Sequence, residues 1–419
     1  MKISASSLKS KVYNFLKRTE KYTRTDNVYL VKGGFWLTFK QIGGFVIAWV
    51  LAMVWARFVP KEIYGKYKFI MSVAGFLAIF SLPGMNTALI RAVARGFEKT
   101  VKQIVKTKFR WSILSLGAGI SLALYYWFQH NQILAISFLI VGIFSPLVNS
   151  FAVYGDYLAG KKRFDLQTKY GLLKNLLLAS AMIVGILLTK NVIYLILIYF
   201  LSQTILTIFF YLFIFKKLPP KGEIDQKSIT YGKHLSLSFV LGEIATYIDK
   251  VLVFHFLGAT ELAIYSFATL VPNQIRGLNK TFGKLALPKF SIRDTKEIKR
   301  NLWSKIIRME LFLIITVGLY IISAGLIFKL FFPAYLDSVL YSKIYSLSLL
   351  NGIVILPQNI VFAKAKTRVI YKYSLFNNSI QILTIFISLY YFGLLGLIVG
   401  NIIYKTIITG ASFFMLREI

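Results

Sequence analysis

Apolar blocks of about twenty residues recur along the chain and constrain its fold more than any other feature. Examples are 111–128, 171–188, 192–215, 311–328 and 380–404. A helix needs about this length to cross a hydrocarbon core of roughly 30 Å. In lipid the backbone must satisfy its own hydrogen bonds, and alternating ten-residue β-segments are not visible in the sequence. The chain is therefore predicted to be an all-α integral membrane protein.

We predict about twelve transmembrane helices. Hydrophobic residues make up 57% of the 419 residues, against roughly 45–50% in soluble domains. The predicted spans are 33–58, 67–90, 110–129, 132–157, 171–189, 191–215, 234–257, 262–284, 306–331, 337–362, 374–392 and 394–416.

Basic residues set the predicted orientation. The chain has 50 Lys and Arg against 16 Asp and Glu, a net charge of +34. In a soluble protein this excess would favour nucleic acid as a partner, whereas in a membrane protein it marks cytoplasmic loops. With twelve spans most basic residues fall on one face, including the loops 91–110 and 159–174. Both termini are therefore predicted to be cytoplasmic, with residues 1–32 forming a basic cytoplasmic arm and no nucleic-acid partner.

A weak internal repeat predicts two lobes. Residues 59–69 align with 257–267, and residues 160–170 align with 363–373, at nearly equal offsets. Both alignments indicate one six-helix unit used twice. Six is an even number, so the repeats are parallel, and transporters of this build place substrate between the halves. The predicted lobes are 33–220 and 221–419.

Ionisable groups inside a span carry a large free-energy penalty and therefore suggest function. Glu243 and Lys250 lie two turns apart on one helix face, and the 273, 276 and 280 positions form a stripe. Phosphate is the expected ligand, because Arg and Lys are its usual partners. The predicted substrate-binding residues are Lys40, Arg91, Lys250, Arg276, Lys280, Asn149 and Asn351. The predicted ion-coupling residues are Glu243 and Asp249.

Structural roles remain open for the same residues. Glu243, Asp249 and Lys250 could pair with one another and only lock helices together. Arg91, Arg276 and Lys280 could extend to the cytoplasmic interface, and Asn149 and Asn351 could bond neighbouring helices instead of sugar. The prolines are expected to interrupt helices at positions 83, 146, 272 and 357.

The sequence does not favour an enzyme. There are no cysteines, the three histidines are scattered, and no GxxxxGK[ST] phosphate-binding motif occurs. The predicted outer loops are too short for a catalytic domain. We expect no metal site and no cofactor apart from coupling to H⁺ or Na⁺.

Two stretches carry a family resemblance. One is WARFVPKEIYGKYKF at 55–69, followed by SLPG at 81–84 and Arg91. The other is YIDK at 247–250, followed by FLG at 256–258 and IYSFA at 264–268. Together they resemble polysaccharide flippases of the multidrug/oligosaccharidyl-lipid/polysaccharide exporter superfamily, over nearly the whole chain after the arm.

This resemblance implies a MATE-like fold with two six-helix lobes around a V-shaped cavity. It implies that an undecaprenyl-diphosphate-linked oligosaccharide crosses the inner membrane for O-antigen, capsule or exopolysaccharide synthesis. Membrane lipids, a polysaccharide polymerase and its chain-length machinery are the implied partners. By motif, Arg91 matches the basic residue closing the second span, and Asp249 and Lys250 match the acidic–basic pair of the seventh. A drug/cation antiporter of the same superfamily and a major-facilitator transporter are the alternatives.

Overall fold

The described part of the chain is helical throughout. The computed structural model describes residues 27–292, 295–354, 357–358, 360 and 367–417, so most of the predicted arm 1–32 lies outside it. The α-helices are α1 (Asn27–Phe58), α2 (Lys61–Leu77), α3 (Gly84–Ala94), α4 (Thr100–Phe128), α5 (Gln132–Phe151), α6 (Tyr154–Gly160), α7 (Phe164–Leu188), α8 (Val192–Lys217), α9 (Gln226–Leu257), α10 (Ala259–Ile292), α11 (Thr295–Phe331), α12 (Ser338–Ser346) and α13 (Thr367–Arg417). Short 3₁₀ helices cover Ala78–Ser81, Pro333–Tyr335 and Leu347–Val354.

Helix α13 is a hairpin that turns back at Gly393. This glycine has a φ of 59°, in the left-handed region that only glycine adopts without strain. The Tyr404 hydroxyl donates to Asn377 Oδ1 at 3.2 Å, and the hydroxyls of Tyr373 and Ser412 lie 2.7 Å apart. These contacts join residues on opposite arms, so the arms run antiparallel, as the predicted spans 374–392 and 394–416 require.

Eight of the described helices are long and apolar enough to cross a membrane. They are Gly33–Phe58, Lys61–Ser81, Thr100–Phe128, Gln132–Gly160, Phe164–Leu188, Val192–Lys217, Ile306–Phe331 and Lys372–Met415, the last being the hairpin. The chain is thus a multi-pass membrane protein. Neither α9 nor α10, the helices with the most candidate site residues, is among the eight. The total of twelve spans and the cytoplasmic position of the termini stay predictions.

The predicted helix interruptions are only partly correct. At Pro83 the chain does break, because Leu82 adopts a φ of 55° between the 3₁₀ helix Ala78–Ser81 and α3. Pro146 and Pro272 lie inside α5 and α10 without interrupting them, so those two predictions are wrong. Neighbouring helices in a membrane protein can satisfy the carbonyl that a proline leaves free. Around Pro357 the chain is only partly described.

The two halves of the chain meet closely at one end, opposite the basic loops. A Cβ added to Gly65 of α2 would lie 1.8 Å from the Ala259 carbonyl oxygen of α10. The rings of Phe69 and Phe254 stack 3.8 Å apart. The first contact joins the repeated segments 59–69 and 257–267, and the second joins Phe69 of the first segment to the end of α9. We call this the outer contact, after the predicted orientation; it brings the two halves together at that end.

At the opposite end the connection between α8 and α9 is fixed to the first half. The Glu98 carboxylate accepts hydrogen bonds from Lys161 Nζ at 2.8 Å, the Tyr157 hydroxyl at 3.0 Å and the Lys221 backbone N–H at 3.1 Å. Asp225 pairs with Arg95. Burial raises the pKa of Glu98, but these hydrogen bonds outweigh burial and hold the pKa below its ordinary value. We call this arrangement the linker clamp.

Candidate substrate site

Two cations of the second half converge on one tyrosine. Arg276 of α10 donates to Ser348 Oγ at 2.8 Å and to the Tyr345 hydroxyl at 3.4 Å. Lys405 of α13 donates to the same Ser348 hydroxyl at 3.2 Å, and its Nζ lies 4.7 Å from the centroid of the Tyr345 ring. Asn273 Oδ1 accepts from Arg276 and from Tyr345. We call these five residues the tyrosine cluster.

The sequence places these groups together through helix periodicity. Asn273 and Arg276 lie one turn apart on α10 and therefore share a face. Tyr345 and Ser348 are also three residues apart, where α12 continues into the 3₁₀ helix Leu347–Val354. Lys405 comes from the second arm of the α13 hairpin. Three segments far apart in sequence thus bring two positive charges to one point.

A carboxylate lies beside the tyrosine cluster. Asp249 accepts a hydrogen bond from the Tyr265 hydroxyl at 2.7 Å, and its other oxygen lies 3.5 Å from Lys250 Nζ. Asp249 also interacts electrostatically with Tyr345 and Lys405. Asp249 and Lys250 pair with each other within α9, whereas the hydrogen bond from Tyr265 joins Asp249 to α10.

The balance of charge in this region is positive. Among the described ion pairs, neither Arg276 nor Lys405 is paired with a carboxylate. Lys68 of α2 is close enough to Lys250 for the two charges to repel. A site with several cations and one carboxylate, lined by hydroxyl and amide groups, is suited to a multiply charged anion such as a diphosphate.

The first half holds its own embedded cations. Lys40 of α1 lies against Gly171 of α7 and interacts electrostatically with Asp156 of α6, as Lys108 of α4 also does. Lys108 donates to Asn86 Oδ1 at 2.6 Å. Lys174 of α7 donates to Thr207 Oγ1 at 2.7 Å. The sequence assigned Lys108 and Lys174 to cytoplasmic loops, and this assignment is wrong, since both side chains are buried.

Other predicted site residues lie apart from the tyrosine cluster. Arg91 is exposed on α3, with its guanidinium carbon 5.3 Å from the Tyr231 ring centroid. Asn351 bonds Thr406 and Thr409 of α13, each at 3.2 Å, which is the helix-joining alternative. Lys280 belongs to α10, but its side chain lies outside the described part of the structure.

Asn149 lines a cavity formed by the first half and by Tyr247 of α9, and Glu243 lies close to that tyrosine. The cavity has a volume of about 220 Å³, and its lining includes Asn149, Gln203 and Tyr247. Tyr247, from α9, packs against Gly75 of α2 and interacts electrostatically with Glu243. Glu243 makes no ion pair within the described residues. An ion-coupling role for it remains a prediction.

Some residues of the site were missing from the predicted set. Lys405 is a lone cation in an apolar span, the same signal that selected Lys40, and could have been included. Tyr345 and Ser348 carry no such signal, because tyrosine and serine are ordinary components of membrane helices. Lys108 was counted in the predicted loop 91–110, and Asp156 lies at the end of the predicted span 132–157, where no role was predicted for it.

Comparison with solved structures identifies the fold. The structure is similar to the lipid II flippase MurJ in an inward closed conformation, with a TM-score of 0.67 and 15% identity, covering 92% of this chain and 87% of that one. It is also similar to an inward-facing MATE-family multidrug resistance transporter of the MOP superfamily, with a TM-score of 0.64 and 15% identity, covering 88% of this chain and 93% of that one. The fold is that of a MATE-like membrane transporter, which confirms the predicted fold class.

The sequence comparisons identify the family. A family model described as polysaccharide biosynthesis protein matches residues 30–291. A Shigella flexneri protein whose assigned name is O-antigen transporter is 21% identical over 336 residues, covering 72% of this chain and 77% of that protein. The chain belongs to the polysaccharide biosynthesis protein family. The relative and the structural neighbours are transporters by name and not enzymes, and the resemblance to polysaccharide flippases is confirmed.

Proposed function

We propose that this protein flips an undecaprenyl-diphosphate-linked oligosaccharide from the cytoplasmic to the outer leaflet of the inner membrane. The observation that carries the proposal is the tyrosine cluster, where Arg276 and Lys405 meet at Ser348 without a carboxylate ion pair among the described residues. A diphosphate supplies the missing negative charge. Membership in a polysaccharide biosynthesis family and likeness to a lipid II flippase support this choice of substrate class.

Alternating access between the two halves is the proposed mechanism. The outer contact closes one end of the molecule, so substrate enters from the basic, cytoplasmic end in this state. The diphosphate binds the cations, and the polyprenyl chain stays in the lipid between the halves. Release on the other side requires the outer contact to separate.

Protonation or Na⁺ binding at Glu243 or Asp249 resets the cycle in this proposal. The finished repeat unit would then reach a polysaccharide polymerase and its chain-length machinery.

The drug/cation antiporter alternative needs a site of the opposite sign. Such a transporter would present carboxylates to its ligand, whereas the tyrosine cluster contains two cations and has one carboxylate, Asp249, beside it. The major-facilitator alternative is disfavoured by the match to the polysaccharide biosynthesis family and by the likeness to MATE and MurJ structures.

The test is complementation of a deletion strain. Cells lacking the protein should accumulate lipid-linked repeat units on the cytoplasmic side and export no polysaccharide. The wild-type chain should restore export, whereas a variant with both Arg276→Gln and Lys405→Met should not, at equal membrane abundance. Lys329→Met is the matched control, because Lys329 is an exposed lysine of the second half. Normal export by the double variant would contradict the diphosphate site.

The coupling proposal has its own test. Glu243→Gln and Asp249→Asn remove a titratable carboxylate while conserving side-chain size. Each should slow export in cells and reduce its response to collapse of the proton or sodium gradient. Full export by both variants would show that neither carboxylate couples transport to an ion.

A further inference from the structure

A cavity of about 430 Å³ opens at the outer contact. It lies between the turn joining α4 to α5 and the last turns of α9. Its lining includes two tyrosines, two amides and a histidine. They are Tyr125, Tyr126, Gln129, Asn131 and His255. This site is distinct from the tyrosine cluster, and it contains no Lys, Arg, Asp or Glu among its lining residues.

The aromatic groups of the cavity are held in place from one side. The ring of Tyr126 packs 5.4 Å from that of Phe138 and 6.4 Å from that of Phe69, measured between centroids. Tyr125 meets Tyr126 edge to face at 5.1 Å, and it remains 55% exposed. One aromatic ring is therefore fixed by packing and the other offers a free face.

The amide of Asn131 is oriented by a helix cap. Its Oδ1 accepts a hydrogen bond from the Leu134 backbone N–H at 3.2 Å, at the start of α5. This bond uses the amide oxygen and leaves the two Nδ2 hydrogens as donors. Among the hydrogen bonds of the described residues, none involves the side chain of Gln129 or of His255. The cavity thus presents donors and acceptors beside aromatic faces.

Saccharides are the ligand class that matches this combination. The C–H faces of a sugar ring stack on aromatic rings, and its neighbouring hydroxyls bond to amide and imidazole groups. A charged ligand would have no oppositely charged side chain to pair with among these lining residues. Aromatic residues commonly form a belt at the membrane interface. Such a belt does not explain why these tyrosines line a cavity together with two amides and a histidine.

We propose that the cavity between the α4–α5 turn and the outer end of α9 binds a neutral saccharide from the outer face. The delivery of a sugar to this face depends on the proposed flippase function. Both halves line the cavity, since Phe254 and His255 belong to α9, and the stacked pair Phe69–Phe254 lies among its lining. A bound saccharide therefore stabilises the closed outer contact, because a ligand shifts a population toward the state that binds it better.

The experiment uses the absence of native cysteines. A single cysteine at exposed His130, between Gln129 and Asn131, is labelled with a membrane-impermeant maleimide in intact cells and in purified protein. The probes are the methyl glycosides of glucose, galactose and N-acetylglucosamine. A dissociation constant of about 10 mM would slow labelling roughly tenfold at 100 mM glycoside. The control is Lys190→Cys, on a different outer loop, whose labelling rate should not change.

Two further variants test the lining itself in the His130→Cys background. Asn131→Asp keeps an oxygen to cap α5 but removes the amide donors, and Tyr125→Leu keeps apolar area but removes the aromatic face. Each should abolish protection while leaving the labelling rate without sugar unchanged. The proposal is overturned if no glycoside protects, if the control site is protected equally, or if both variants remain protected.

A final comparison separates the source of the sugar from the existence of the site. Labelling of His130→Cys is measured in cells that make the lipid-linked oligosaccharide and in cells lacking the glycosyltransferase that begins it. Slower labelling only in the first cells assigns the site to delivered substrate, and equal labelling assigns it to free saccharide. Glycoside protection in purified protein does not depend on transport, so the flippase proposal can fail without affecting it.

Discussion

Embedded cations of the two halves are held in different ways. In the first half Lys108 and Lys174 are 2% and 8% exposed, and each donates to one neutral oxygen, on Asn86 and Thr207 respectively. In the second half Arg276 and Lys405 are only partly buried, and they share Ser348 and Tyr345. The first arrangement satisfies lysines within the fold, whereas the second concentrates charge where an anion can reach it.

The difference follows from what each helix must do. A buried ammonium with a short hydrogen bond is fixed, because breaking that bond leaves an unsatisfied charge in low dielectric. Two cations that share one hydroxyl repel each other, and this repulsion is relieved when an anion binds between them. Lys40 belongs to neither type, since it is partly exposed and lies near Asp156.

The largest expected effect is loss of the guanidinium at the tyrosine cluster. Arg276→Gln should reduce export by roughly ten- to a hundredfold, since a hydrogen bond to a charged group contributes about 1.5–3 kcal/mol. Arg276→Lys should recover only part of the rate, because an ammonium cannot form the two-pronged contact. Export is measured as surface polysaccharide per molecule of transporter in the membrane.

Equal export by Arg276→Lys and wild type would show that charge alone is sufficient. Equal export by Arg276→Gln and wild type would remove the distinction between the two halves.

A smaller effect, on stability and not on transport, is expected for the first half. Asn86→Leu leaves the Lys108 ammonium buried without its partner and should destabilise the protein by about 1–3 kcal/mol. Lys108→Met removes the charge together with the need for a partner and should be close to neutral in stability. Thermal unfolding in detergent, followed by tryptophan fluorescence, measures both.

Export per folded molecule should stay near the wild-type value in Lys108→Met. If it fell as far as in Arg276→Gln, Lys108 would belong to the substrate path.

The smallest effect concerns pH and the linker clamp. The pKa of Glu98 is lower in the folded protein than its ordinary value of about 4.3. Its stabilising contribution is therefore complete above the ordinary pKa and is lost as the pH falls through the folded pKa. Between neutral pH and a pH below the folded pKa of Glu98, the unfolding temperature of wild type should fall more than that of Glu98→Gln, by a few degrees at most. Parallel pH profiles would show that the clamp contributes nothing to stability.

Much of the architecture could be predicted from hydropathy and charge. The predicted spans other than 234–257, 262–284 and 337–362 overlap helices that are long and apolar enough to cross a membrane. Several of these helices extend past the predicted spans, as α4 does by starting at Thr100. The extension of α4 carried Lys108 from a predicted loop into the packed interior. Hydropathy cannot detect this burial, because a lysine lowers the local average wherever its side chain points. The break at Pro83 was predicted, while Pro146 and Pro272 were tolerated inside continuous helices.

The candidate site was predicted only in part. Arg276, Lys250 and Asp249 were selected because charged groups in apolar spans are rare, and the structure places them in one region of the second half. Arg91 and Asn351 were selected by similar reasoning but lie apart or bond neighbouring helices. Whether any of them binds substrate remains a prediction.

The sequence by itself determined that this chain is helical and crosses a membrane, because a backbone in lipid has few ways to satisfy its hydrogen bonds. Its charge pattern also indicated a ligand of negative charge. Only the tertiary structure decided which cations are satisfied by the fold and which remain to bind something else. That choice depends on contacts between helices distant in sequence, such as those of Arg276 and Lys405 with Ser348, which lies 72 and 57 residues away from them. No local pattern of residues specifies such contacts, since they arise when separate helices pack.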